Sequence, residues 1–174
     1  TATSLRMEFY DSDGTAFSPT VIQFDGNGAV PNYSNVRVAA SSNSDLLVVY
    51  EVENAVGDTD IFYRIYDYTS GIIGPETVLF SNPNDYFDPE IAVLENGNFA
   101  IITNDSATGG DGKLNLRVIT PSGGNVQANT PIAGTDGDGD VDSQAAIAAL
   151  TGGDFVVAWA NTDSSDTDIL FQRF

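Results

Sequence analysis

The sequence predicts an all-β protein: a β-propeller-like assembly of three blade-type repeats, each of about four antiparallel strands. Three observations carry this expectation. An apolar hairpin phrase occurs three times, at 36–50, 88–105 and 143–159, and no apolar run in the chain has the 3.6-residue period of a helix. The copies keep step, because Asp45, Asn98 and Asp154 hold the same place in each and lie 53 and 56 residues apart (98 − 45 and 154 − 98). A period of that size over three units marks a repeat architecture, with propeller blades of roughly 40–50 residues among the candidates.

The chain opens on a strand-type segment at 4–11, SLRMEFYD, whose pattern returns at 61–67, 114–120 and 169–174. A short strand at 20–24 follows, and the first hairpin then turns through Ser42, Asn43 and Ser44. In the second unit, strands at 91–94 and 99–103 flank Asn96-Gly97, a strong hairpin signal because both residues tolerate positive φ. Both strands are apolar almost throughout, which predicts burial on both faces. The third strand, 114–120, alternates: Leu114, Leu116 and Val118 share one face, Asn115 and Arg117 the other. The fourth, 125–132 here and 76–80 in the unit before, is short and weak, as an edge strand should be. Gly152 and Gly153 form the turn of the last hairpin.

The first strands of the hairpins are rich in alanine, with Ala39, Ala40, Ala92, Ala145, Ala146, Ala148 and Ala149. Small side chains suit a crowded centre where several sheets converge. The gradient from doubly buried inner strands to a polar edge is what radially packed blades require. A closed barrel would alternate on every strand.

Units are expected at about 25–80, 81–132 and 133–174 of one repeat domain. The pair of strands in 1–24 should complete the C-terminal sheet, where no fourth strand follows 169–174. That closure leaves two arrangements open: an intramolecular three-unit ring, or a homodimer closing six units.

Composition narrows the partners. With 25 acidic residues against 6 basic, the net charge is −19. Nucleic acid and anionic membranes are disfavoured, since phosphate binding needs clustered Lys and Arg. No apolar run approaches the roughly 20 residues of a membrane helix, so membrane insertion is not expected. There is no Cys and no His, which removes disulfides, thiolate chemistry, the usual general base and the usual transition-metal ligand. The N-terminus has neither an initiator Met nor a signal-peptide pattern, so a mature product or a segment of something longer is expected.

The phrase AAIAALTGGDFVVAW at 145–159, followed by ILFQRF at 169–174, resembles a repeat of large secreted bacterial calcium-binding proteins, the RTX or hemolysin-type exoproteins and adhesins. DPEIAVLENGNFAIITND followed by IYDYTSG is a more diverged match. The resemblance implies a propeller-like fold and an extracellular, secreted or cell-surface location. The nonapeptide calcium repeat of those proteins, GGxGxDxUx, does not occur here.

One local signal points to a metal. Asp136, Asp138, Asp140 and Asp142 alternate with Gly137, Gly139 and Val141, so several carboxylates can converge on a hard cation, and Ca²⁺ takes 6–8 oxygens. The run resembles the DxDxDG calcium loops, with Val141 where those have Gly. The alternative is a solvated acidic loop. A second acidic set, Asp58, Asp60, Asp111, Asp166 and Asp168, opens the third strand of each unit and reads as Asx-turns. Arg64 and Arg117 share a strand position suited to surface ion pairs. Trp159 reads as core rather than as a sugar-stacking platform.

Enzyme motifs are missing: there is no GxSxG, no HExxH and no phosphate loop. Ser12-Asp13-Gly14-Thr15 has letters of the sialidase repeat SxDxGxTW without its spacing or its Trp. The expected function is therefore a non-catalytic extracellular repeat module, an adhesion scaffold or a binder of a glycan or cell-surface ligand. The alternative is a polysaccharide-active propeller enzyme using a carboxylate pair.

Overall fold

The computed structural model describes residues 4–16, 22–25, 32–42, 45–54, 57–81, 85–106, 112–132, 141–163 and 165–174. Among these lie fourteen strands and no helix. The first full sheet is formed by β3 (Asn32–Ala40), β4 (Asp45–Glu53) and β5 (Thr59–Asp67), with the short β6 (Ile72–Ile73) and β7 (Thr77–Phe80) both pairing with β5. The second runs β8 (Tyr86–Val93), β9 (Phe99–Asp105), β10 (Lys113–Ile119), β11 (Asn125–Pro131) in that order. The third has β12 (Val141–Ala149), β13 (Phe155–Thr162) and β14 (Thr167–Arg173). All pairings are antiparallel.

The burial gradient follows the residues. All of β9 is buried, whereas β11 is almost wholly exposed. Gly97 at φ 84° and Gly152 and Gly153 at φ 91° make the hairpin turns where the sequence places them. The inner strands β3, β8 and β12 pack against one another in turn, so the sheets radiate from a shared axis.

The first two sheets each bury one face on the next. Leu47, Val49, Ile61 and Tyr63 of the first pack against Tyr86, Phe99, Ile101 and Ile119 of the second. Ala100, Ile102, Leu114 and Leu116 of the second then pack against Phe155, Val157 and Trp159 of the third. Each large apolar side chain so buried contributes roughly 1.5–3 kcal/mol. Trp159 is core, as its place in the repeat implies.

The inner strands begin earlier than their apolar runs. β8 starts at Tyr86 rather than at Ile91 because a bulge between Phe87 and Glu90 carries the strand through Pro89. A proline has no N–H for the ladder, and a bulge is one of the few places a sheet accepts it.

At the N-terminus, β1 (Ser4–Met7) and β2 (Ile22–Asp25) pair with each other in a sheet of their own. The pair sits on the first sheet, where Leu5 packs with Tyr33, Val48 and Tyr50, and the Phe9 ring lies 5.2 Å from that of Tyr66. The third sheet contains β12, β13 and β14, and β1 and β2 pair with each other rather than with it.

Candidate functional site

At one end of the axis the three inner strands share an unusual backbone feature. Asn35, Asp88 and Gln144 are the only described non-glycine residues with positive φ, at 44°, 53° and 52°. They lie 53 and 56 residues apart (88 − 35 and 144 − 88), the step of the repeat. Each sits in a register shift, between Ser34 and Arg37, Phe87 and Glu90, and Ser143 and Ala146. A left-handed residue in an L-chain costs energy and persists only where its surroundings hold it. Bulges re-aim side chains, and here each places a polar residue at the same step of the repeat.

Glu51, on β4, holds the first two bulges together. Its Oε2 accepts from Ser34 Oγ at 2.6 Å, and its Oε1 accepts from Asn35 Nδ2 at 2.7 Å. The same Oε1 takes the backbone N–H of Asp88, in the next sheet, at 2.7 Å. Only 5% exposed, this carboxylate is satisfied by three hydrogen bonds, as a buried charge must be. Asn35 Nδ2 also donates to Asp88 Oδ1 at 3.1 Å. Both carboxylates thus reach one nitrogen, which sets an oxygen of Glu51 within about 6 Å of one of Asp88. Asp88 itself is exposed.

Neighbouring groups extend the array. Glu53 accepts from Asn32 Nδ2 at 2.9 Å, and Arg37 pairs with Glu90 across β3 and β8 at 2.9 Å. One repeat on from Glu51, Asn104 lies at 1% exposure with neither atom of its amide hydrogen-bonded. Asp105 accepts from Asn115 Nδ2 at 2.9 Å. Behind the rim, Asp60 is held above the usual carboxylate range, first by burial and then by the charges of Asp58 and Asp85, against a hydrogen bond with Ser81.

Of the predicted calcium ligands, Asp136, Asp138 and Asp140 lie outside the described residues. Asp142 is described: it is 2% exposed and accepts from Asn161 Nδ2 at 3.1 Å. Among the described residues no group of three or more acidic side chains could hold a metal ion. The loops before the third strands are capped by other side chains than the predicted aspartates, four residues before Asp58 and three before Asp166. Asn54 Oδ1 accepts the Asp58 N–H, and Asp163 Oδ1 accepts those of Ser165 and Asp166. Asp111 lies outside the described residues. Arg64 pairs with Glu76 at 3.7 Å, whereas Arg117 donates to the Leu79 carbonyl of the preceding sheet. Ser12-Asp13-Gly14-Thr15 forms a turn after β1 in which Asp13 Oδ1 accepts the Thr15 N–H at 2.8 Å.

The sequence reading passed over Asn35, Glu51 and Asp88. Two signals marked them: a lone Glu inside the apolar run LLVVYEV, and an Asn–Asp match at the repeat step.

No family model and no curated protein matches the sequence. Solved structures do match in fold. A Hadza microbial sialidase superposes with a TM-score of 0.58 at 15% identity, over 92% of this chain and 40% of that one. The Penicillium chrysogenum α-L-arabinanase complexed with arabinobiose gives 0.60 at 10% identity, over 94% and 53%. A thermostable family-43 glycoside hydrolase gives 0.53 at 10%, over 98% and 67%. The chain thus spans about two fifths to two thirds of these structures, and its fold is theirs, a β-propeller.

These comparisons correct the expectation of a non-catalytic module. The framework on which it rested is that of named glycoside hydrolases. The expectation gave too much weight to absent His and Cys. Glycoside hydrolysis runs on carboxylates, and those are plentiful at the axial end.

Proposed function

We propose that the chain forms part of a polysaccharide-active propeller enzyme whose reacting glycan sits at the axial end of β3, β8 and β12. One observation carries the reading: Glu51 and Asp88 share the Asn35 amide, so two carboxylates of contrasting burial stand close together at the bulged end of the axis. Asp88 is exposed and is the group that transfers protons to and from the glycosidic oxygen or water. Glu51, fixed by three donors, acts as a positioning residue. It holds the bulge that presents Asp88, and its negative charge favours an oxocarbenium-like transition state.

The charge distribution supports a neutral glycan rather than an acidic one. A sialic or uronic carboxylate calls for arginine, yet each described arginine beyond Arg6 already has a partner. Arg37 is on Glu90, Arg64 on Glu76, Arg117 on Leu79 and Arg173 on Asp154.

The test is reducing-end release from arabinan and other neutral polysaccharides, with sialosides and uronans alongside. Turnover of a neutral polysaccharide is expected, with Asp88→Asn slowing it about 10²–10⁴-fold while melting as the parent does. Absence of turnover on every glycan, or full activity in Asp88→Asn, would sink the reading.

A further inference from the structure

We propose that a calcium ion is held in the seam between the second and third sheets, with the Asp142 carboxylate and the Asn104 side-chain carbonyl as its protein ligands.

The seams between successive sheets differ at three matched positions. Between the first and second sheets stand Glu51, Thr59 and the buried ring of Tyr86. One repeat on, between the second and third, stand Asn104, Gly112 and Asp142. The register aims these groups at one another. Asn104 lies opposite Leu114, which packs against Phe155, Val157 and Trp159 of the third sheet, so the amide points the same way. Asp142 lies opposite Asn161, which alternates onto the face of Trp159, and its Oδ1 accepts from Asn161 Nδ2 at 3.1 Å. Gly112 lets the strands close on this point, since a Cβ there would stand 3.0 Å from the Asp142 carbonyl oxygen.

The contents of the seam select the ligand. Where Tyr86 fills its seam with a ring, Asp142 brings a short side chain and a negative charge at 2% exposure. Asn104, at 1% exposure, has neither amide atom hydrogen-bonded, and the indole N–H of Trp159, at 4%, has no partner. Buried polar groups left in this way cost energy unless something enters to meet them. Water alone would answer the amide and the indole. A hard cation with its waters answers them and the buried charge together. It takes the carboxylate and the Asn104 oxygen directly, and waters in its remaining positions accept from Trp159 Nε1 and Asn104 Nδ2. The ligands are one carboxylate, one amide oxygen and water, so no cluster of acidic side chains is needed. An all-oxygen set suits Ca²⁺ rather than a transition metal. Asp142 is also the described member of the acidic run predicted from the sequence. The ion ties the second sheet to the third as Glu51 ties the first to the second.

The chain's single tryptophan is a local reporter. Terbium, a luminescent stand-in for Ca²⁺, should emit when tryptophan alone is excited, Ca²⁺ should compete that emission away, and Asp142→Asn should abolish it. In the parent chain, Ca²⁺ should raise the melting temperature by roughly 5 °C over chelator, because a ligand of the folded state stabilises by mass action. Asn104→Asp provides a second variant should Asp142→Asn misfold. It offers the ion another carboxylate, so the shift on adding Ca²⁺ should grow, whereas without an ion two buried charges would destabilise the chain at every Ca²⁺ concentration. A melting curve indifferent to Ca²⁺, terbium emission that survives Asp142→Asn, or an Asn104→Asp chain destabilised equally with and without Ca²⁺ would each overturn the proposal.

Discussion

Glu51 of the first sheet accepts the backbone N–H of Asp88 in the second, at 2.7 Å. A side chain in one blade thereby fixes the main chain of the next at the point where φ turns positive.

Removing that acceptor should cost stability as well as function. Glu51→Gln keeps one oxygen for three donors, so we expect a loss of about 1–3 kcal/mol, with Glu51→Ala worse because Asn35 and the Asp88 N–H lose their partner. Urea unfolding measures it. A variant as stable as the parent would show that the bulge holds itself.

Tyr50 sets an alkaline limit. Its hydroxyl donates to Glu76 Oε2 at 2.7 Å, and burial, with the nearby Glu76 charge, pushes the phenol well above its ordinary 10.0. The unfolded chain ionises near 10 and the folded one does not, so stability present below that pH falls as pH rises beyond it. Tyr50→Phe should flatten this alkaline decline while costing about 1 kcal/mol at neutral pH. Melting temperatures from neutral to strongly alkaline pH check both parts.

Asp60 works in the opposite sense to most carboxylates. Its folded pKa is raised, so its contribution is full below the ordinary carboxylate value and is lost as pH rises through the folded one. Asp60→Asn should therefore raise the melting temperature at neutral pH, and the gain should shrink in acid as the parent residue protonates. A gain independent of pH would argue against the burial and charge account.

Gly123 joins β10 to β11 at φ +83°, and a Cβ there would lie 3.0 Å from the Tyr63 hydroxyl of the preceding sheet. Gly123→Ala should cost at least about 1 kcal/mol, from the left-handed backbone alone. Differential scanning calorimetry would show it as a lower melting temperature.

The architecture was legible because its signals are local and repeated. Asn96-Gly97 and Gly152-Gly153 announce hairpins, and the spacing of Asp45, Asn98 and Asp154 announces blades. The candidate site was hidden because its parts come from two blades. Glu51 sits in a run that reads as ordinary strand, and Asp88 beside Pro89 reads as a loop. Only the pairing of β3 with β4 and of β8 with β9, and the packing of β3 on β8, bring them to one amide. Composition misled in a different way, since a protein without His or Cys still has every group that hydrolysis of a sugar bond needs.

The three bulges have a consequence for how such a protein can change. Asn35, Asp88 and Gln144 occupy one backbone geometry with three different side chains. In the first pair of blades, the clamp that holds this geometry belongs to Glu51 on a neighbouring strand rather than to the presented residue. Chemistry and scaffold are thus written at separate codons. Exchanging the displayed group should alter what the axis can do to a substrate while leaving the sheets that display it intact.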